Sequence, residues 1–126
     1  MDAAQALADL TEISTQIETA TLFDEDGQVL GSTLDETGGT ALAAAAARLL
    51  EQAGALGGGE VAQLEASVQE GSVFVVRDGA RRIAATTGPA PTVGLVFYDL
   101  KSCLRAASED AKPKRRRAPK KAADEA

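Results

Sequence analysis

The chain has 126 residues, no histidine, a single cysteine (Cys103) and a net charge of −6. That length suits one domain. The missing histidine removes the commonest general base and metal ligand, and one cysteine excludes an internal disulfide or a multi-thiolate zinc site.

The N-terminal stretch MDAAQALADL begins acidic and does not read as a signal peptide. Asp2 can cap a helix, and Gln5 stands at the third position after it, as in a capping box. Leu7, Leu10, Ile13 and Ile17 then recur at helical spacing, which predicts an amphipathic helix from Ala3 to about Glu18.

The next stretch, Leu22 to Leu34, reads LFDEDGQVLGSTL and holds three consecutive acids before Gly27. An EF-hand loop has its glycine sixth, so position one would be Leu22 and position twelve Thr33. Leucine has no side-chain oxygen and threonine cannot chelate, so the stretch is no calcium loop. Thr21 to Phe23 and Gln28 to Ser32 suit two strands instead, joined at Asp26-Gly27 by a tight turn.

A second helix is expected from about Thr40 to Ala53, with Gly38 and Gly39 at its entry and Gly54 ending it. Leu42, Ala45, Ala46, Leu49 and Ala53 share one stripe of this alanine-rich segment. Gly57-Gly58-Gly59 reads as a hinge and not as a phosphate loop, because no Gly-Lys-Ser/Thr follows. Three strands come next. Val61 to Gln69 alternates, with Ala62, Leu64, Ala66 and Val68 on one face. Glu70-Gly71 turns into Val73 to Val76, an apolar run suited to a strand covered on both faces. Asp78-Gly79 signals a hairpin into Arg82 to Thr87.

Pro91 then precedes a last helix that Thr92 can cap. Val93, Val96, Phe97, Leu100, Cys103, Leu104 and Ala107 fall on one stripe, where Cys103 reads as a small core residue. Periodicity ends at Ala107. Residues 1–107 hold 15 acids and 6 bases, a net of −9, whereas 108–126 hold 4 acids and 7 bases, a net of +3. The tail has no core-forming residue larger than alanine, so residues 108–126 are expected to be a disordered basic tail.

The order is α-β-β-α-β-β-β-α. It predicts an α/β fold of the α+β kind, one five-stranded, largely antiparallel sheet with helices on both faces. One thiol without a disulfide fits a reducing compartment. The longest apolar run, Ala41 to Ala47, stops at Arg48, far short of a membrane span. A soluble, cytoplasmic protein is expected. For chemistry the chain offers little. Without histidine an activated hydroxyl would need lysine or a carboxylate, and the only lysine before the tail is Lys101. Arg48 on an alanine-rich helix reads as solubilising, although an arginine can stabilise phosphoryl transfer in trans. No catalytic, cofactor-binding or metal-ligating residue is assigned, and the chain is not expected to be an enzyme.

That order, with these local sequences, resembles the roadblock / dynein light-chain domain family, especially its short bacterial members related to gliding-polarity GTPase regulators. The likeness covers about Ala3 to Ala107. It is carried by TATLFDEDGQVLGS after the first helix, by the glycine-flanked alanine-rich middle helix, and by TVGLVFYDLKSCL in the last helix. The family's fold is a profilin-like sandwich.

The resemblance implies a homodimer that pairs its third strand across the symmetry axis and packs its middle helices together. Carried onto this sequence, the interface is Leu42, Ala45, Ala46, Leu49 and Ala53 with Ala62, Leu64, Ala66 and Val68. An alternating strand after a glycine hinge also reads as an edge that must be blunted or paired. The family further implies a non-catalytic scaffold or regulator that binds a small Ras-like GTPase or sits in a sensor-kinase complex. A competing reading starts from the tail, in which Lys114, Arg115, Arg116, Arg117, Lys120 and Lys121 could hold phosphates of nucleic acid or of an anionic membrane. The preferred reading of these residues is a solubilising tail, or one that folds back on the acidic domain. A small-molecule sensor ranks last, because no convergent polar cluster can be read.

Overall fold

The structure, a computed structural model, describes residues 1–111. The elements run α1 (Ala3–Ile13), β1 (Ile17–Asp24), β2 (Val29–Ser32), α2 (Glu36–Gly57), β3 (Gln63–Val68), β4 (Gly71–Asp78), β5 (Arg81–Thr87) and α3 (Val93–Ala111). All strand pairs are antiparallel, and the sheet order is β2-β1-β5-β4-β3. The expected fold class therefore holds, down to helices on both faces.

Side-chain alternation divides the core in two. Ala20, Leu22, Phe74, Val76, Ile83 and Ala85 point to one face, where Leu7 and Leu10 of α1 and Val96, Leu100, Cys103 and Leu104 of α3 cover them. Phe74 meets Phe97 edge to face at 5.0 Å between ring centroids, a geometry worth about 1 kcal/mol beyond area burial. Phe23, Val75 and Ala84 point to the other face, under Ala43, Ala46 and Leu50 of α2.

Several boundaries differ from the sequence reading. The first helix stops at Ile13, capped by Asp2, whose side chain accepts the Gln5 amide, and Ser14 closes it with a bond to Leu10 O. Ile17 opens β1 instead. In a run such as IETATL, β-branched residues favour strand, and Ile17 fits either the helical or the strand period. Ile13, expected on the buried stripe, is 71 % exposed.

The middle helix begins four residues early and ends four late. Asp35 caps it by accepting the Gly38 amide, and Gly58, in the left-handed conformation at φ +75°, ends it instead of Gly54. Gly38 and Gly39 lie inside the helix. A Cβ on Gly39 would stand 2.9 Å from Ser32 Oγ, so glycine there lets α2 settle onto the β1–β2 hairpin. The last helix continues past Ala107 to Ala111. Ser108, Glu109, Asp110 and Ala111 are compatible with helix, and the sequence next places a breaker at Pro113. The expected tail thus loses its first four residues to α3, and its remainder lies outside the described residues.

The acidic stretch forms the β1–β2 turn. Asp24 Oδ1 accepts the amides of Asp26 and Gln28 at 2.9 and 3.0 Å, and Gly27 takes φ +83°. The carboxylate is thus committed to its own turn.

Gly71 opens β4 where β3 and β5 converge. A Cβ there would stand 2.0 Å from the backbone oxygen of Thr87. Gly71→Ala is expected to force the β4–β5 pair apart and to cost about 3 kcal/mol, read as a lower midpoint in urea unfolding.

Candidate interaction surface

β3 is an edge strand. It pairs with β4 from Gln63↔Val76 to Val68↔Gly71 and has no second strand partner among the described residues. Its register sets its faces. Leu64 lies opposite Val75 and Ala66 opposite Val73, so Leu64, Ala66 and Val68 share the α2 face. Edges are usually blunted by lysine, proline or a bulge. β3, QLEASV, has neither lysine nor proline, its pairing with β4 is regular, and Val68 is 68 % exposed.

α2 packs over β1, β2 and β5. Half-buried Leu42 of α2, Leu64 of β3 and Val73 of β4 pack at the border of the second core. The outer side of α2 is unusual for a solvated helix. Ala41, Ala44, Ala45, Ala47 and Ala55 are exposed there, with Arg48 and Glu51 as charges and Leu56 at 91 % exposure. Small side chains permit close approach of another helix.

Of the nine interface residues carried over from the family, Leu42 and Leu64 pack at the border of the second core, whereas Ala62 lines a cavity with Lys101, Leu104 and Arg105 of α3 and so departs from the expected face. Leu42, Leu49, Ala53, Leu64 and Ala66 are half-buried, and Ala45, Ala62 and Val68 are exposed. Ala46 is a correction. It is 0 % exposed and packs with Phe23, Val75 and Ala84, so it faces its own sheet and cannot touch a partner. In an all-alanine run the side chains do not reveal which stripe faces inward. The six tail residues from Lys114 to Lys121 lie outside the described residues.

The opposite face of β3 carries a polar clasp. Glu65 Oε2 accepts hydrogen bonds from Ser67 Oγ and from Ser72 Oγ, the latter at 2.9 Å. These two bonds hold the Glu65 carboxyl below its usual value of 4.5, against a small opposing effect of burial. A lowered folded-state value means stability that is present above pH 4.5 and lost as pH falls through the folded-state value. Glu65→Gln is therefore expected to flatten the acid limb of a stability-versus-pH curve and to leave stability at pH 7 slightly lower. Parallel acid limbs for the two proteins would show that the clasp contributes nothing.

Cys103 behaves as a core residue. Its thiol donates to Ala6 O at 3.4 Å, and burial, with a smaller contribution from Asp9, pushes it up to about 12. It is kept protonated and unreactive at neutral pH.

An edge strand beside an alanine-faced helix, on a five-stranded antiparallel sheet with two helices behind, is an architecture with known relatives. The family model for the Roadblock/LC7 domain matches residues 4–86. The chain belongs to the Roadblock/LC7 family. No curated protein matches it. Among solved structures, a Roadblock/LC7 domain from Streptomyces avermitilis aligns at 20 % identity over 88 % of this chain and 98 % of its own, with a TM-score of 0.77. Gliding protein MglB from Thermus thermophilus aligns at 19 % identity over 85 % and 86 %, with a TM-score of 0.65. Myxococcus xanthus MglB aligns at 16 % over 86 % and 84 %, with a TM-score of 0.64. At these identities the likeness is one of fold. The roadblock resemblance is borne out, and the matched span includes TATLFDEDGQVLGS and the alanine-rich middle helix on which it was read. No helix among the described residues is long and apolar enough to cross a membrane.

Proposed function

We propose that the chain is a non-catalytic scaffold that dimerises through β3 and the β3-facing flank of α2, and that the dimer binds a small Ras-like GTPase or a signalling complex containing one. The observation that carries this reading is the unblunted edge of β3, lying beside exposed alanines of α2 and half-buried Leu42 and Leu64. A strand edge of this kind is completed by another strand. Pairing two copies would continue the sheet and bring two alanine faces together in one step. A solved MglB is described as having a tetrameric arrangement, which supports self-association as a property this fold permits.

The GTPase half rests on family membership. Acidic residues dominate the domain, which suits a partner with a basic patch and acts mainly on association rate. Binding must prefer one nucleotide state, because a ligand with equal affinity for both shifts neither. The test is calorimetry of the full chain against Ras-like GTPases of its own cell, each loaded with GDP or with a non-hydrolysable GTP analogue. A dimer that binds one GTPase with at least about tenfold preference for one nucleotide state, about 1.4 kcal/mol, is expected. A monomeric chain, or binding to none of them in either state, would refute the reading.

A further inference from the structure

On the sheet face opposite α2, α1 and α3 pack side by side and leave a groove of about 300 Å³. Its walls are apolar, with Leu10, Ile13 and Tyr98 prominent, and two carboxylates, Asp9 and Asp99, line it. Asp9 receives a hydrogen bond from Gln5 Nε2 at 3.0 Å. Asp99 is only 8 % exposed and has no hydrogen-bond or ion-pair partner among the described residues. Its oxygens still reach the groove, because Ser14 Oγ is the one fully buried side-chain polar atom without a partner among the described residues, so Asp99 is an acid set in apolar surroundings and open to a cation from outside. Around it Ile13 is 71 % exposed and Tyr98 68 %, so the site offers an acid at its floor and apolar surface at its rim.

An arginine or lysine side chain matches that pattern, with a charged head for the acid and an alkyl stem for the walls. The chain carries its own supply. Residues 112–126 hold seven Lys and Arg against two acids and no apolar residue larger than proline. The segment also starts in the right place. Ala106 lines the groove, and α3 ends at Ala111, one and a half turns beyond. From Ala111 back to Asp99 the helix covers about 18 Å at 1.5 Å per residue. Residues 112–117 in extended form reach about 20 Å, so the run from Arg115 to Lys121 can return to Asp99.

We propose that the groove between α1 and α3 is the docking site of the chain's own basic segment, residues 114–121, with an arginine seated on Asp99 and Asp9 and its stem along Leu10, Ile13 and Tyr98. A guanidinium can bond a carboxylate through two N–H groups and also stack on the Tyr98 ring. Tethering raises the effective concentration of the segment to the millimolar range, so even weak contacts fill the site. Docking hides the basic run from phosphates and closes the groove to other occupants, and it is released by salt. The groove lies on the face opposite α2, so this proposal is independent of the scaffold reading.

Tyr98 is the only tyrosine and the chain has no tryptophan, so its fluorescence reports on the groove alone. In the full chain, replacing the six Lys and Arg of residues 114–121 by glutamine is expected to raise acrylamide quenching of Tyr98 about twofold, as a stacked side chain leaves one ring face. Asp99→Asn and 1 M salt on the unaltered chain should each do the same. Combining Asp99→Asn with the glutamines should add nothing further, because both break one contact. Asp26→Asn, in the distant β1–β2 turn, should change nothing. Equal quenching in all these chains would overturn the proposal. So would an Asp99→Asn effect without an effect of the glutamines, which would mean another occupant, or an Asp26→Asn effect as large as that of Asp99→Asn, which would mean diffuse attraction.

Discussion

Ala46→Glu is expected to unfold the chain. Ala46 is 0 % exposed on the sheet-facing side of α2, against Phe23, Val75 and Ala84. A carboxylate there would be larger than the space and would lack any cationic partner among these neighbours. Overpacking and unpaired charge together are expected to remove about 4 kcal/mol or more, a large part of the roughly 5–15 kcal/mol that holds a domain of this size. Circular dichroism should show loss of the cooperative melt at room temperature or a melting point lowered by tens of degrees, on the order of 5 °C per kcal/mol. Ala45→Glu is the matched control. Ala45 is exposed on the same helix, and a surface change of this kind stays within about 0.5 kcal/mol. If Ala46→Glu melts like the unaltered chain and only its association is changed, then α2 is turned toward a partner and not toward its own sheet.

Val68→Lys should separate two copies and spare the fold. Val68 ends β3, is 68 % exposed and lies opposite Gly71 on β4. In a single copy a lysine there can extend into water, so the secondary structure should survive. In a dimer continued through β3 the ammonium would be placed at a packed seam, and lysine on an edge is how proteins prevent strand-to-strand pairing. The expected weakening is about 3 kcal/mol, or roughly a hundredfold in dissociation constant. Sedimentation across a concentration series would measure it. An unchanged association constant would move the interface away from β3.

These two substitutions differ in a way the sequence could not supply. The segment TALAAAAARLL announces a helix by propensity alone, and that expectation was sound. Yet Ala45 and Ala46 are chemically identical, so no hydrophobic pattern tells which one is buried. The close approach at Gly39, with Ser32 below it, helps set that rotation. For the same reason the glycines at 38 and 39 look like a helix boundary in sequence and prove to be a packing device. Ile17 misled in another way. Its spacing from Leu10 and Ile13 suits a helix, while its β-branched neighbours suit a strand, and pairing with Thr87 on β5 decided between them.

What the sequence determined by itself was local. Asp26-Gly27 and Asp78-Gly79 placed two hairpins, alternation in AQLEASV placed β3, and the stripe from Val93 to Ala107 placed α3. Each signal lies within a few residues, where backbone sterics and solvent exposure act directly on neighbours. The family, too, was legible in those local patterns and their order. What only the tertiary structure decided was long-range. The register of β1 against β5 joins residues from distant parts of the chain, as in Ala20↔Ala85, and the strand order puts β3 at the sheet's edge. It also sets α2 alone on one face and leaves Asp99 without a partner between two helices on the other. Such placements arise from the summed packing of both sheet faces. No short segment carries that sum, because it exists only once distant strands have met.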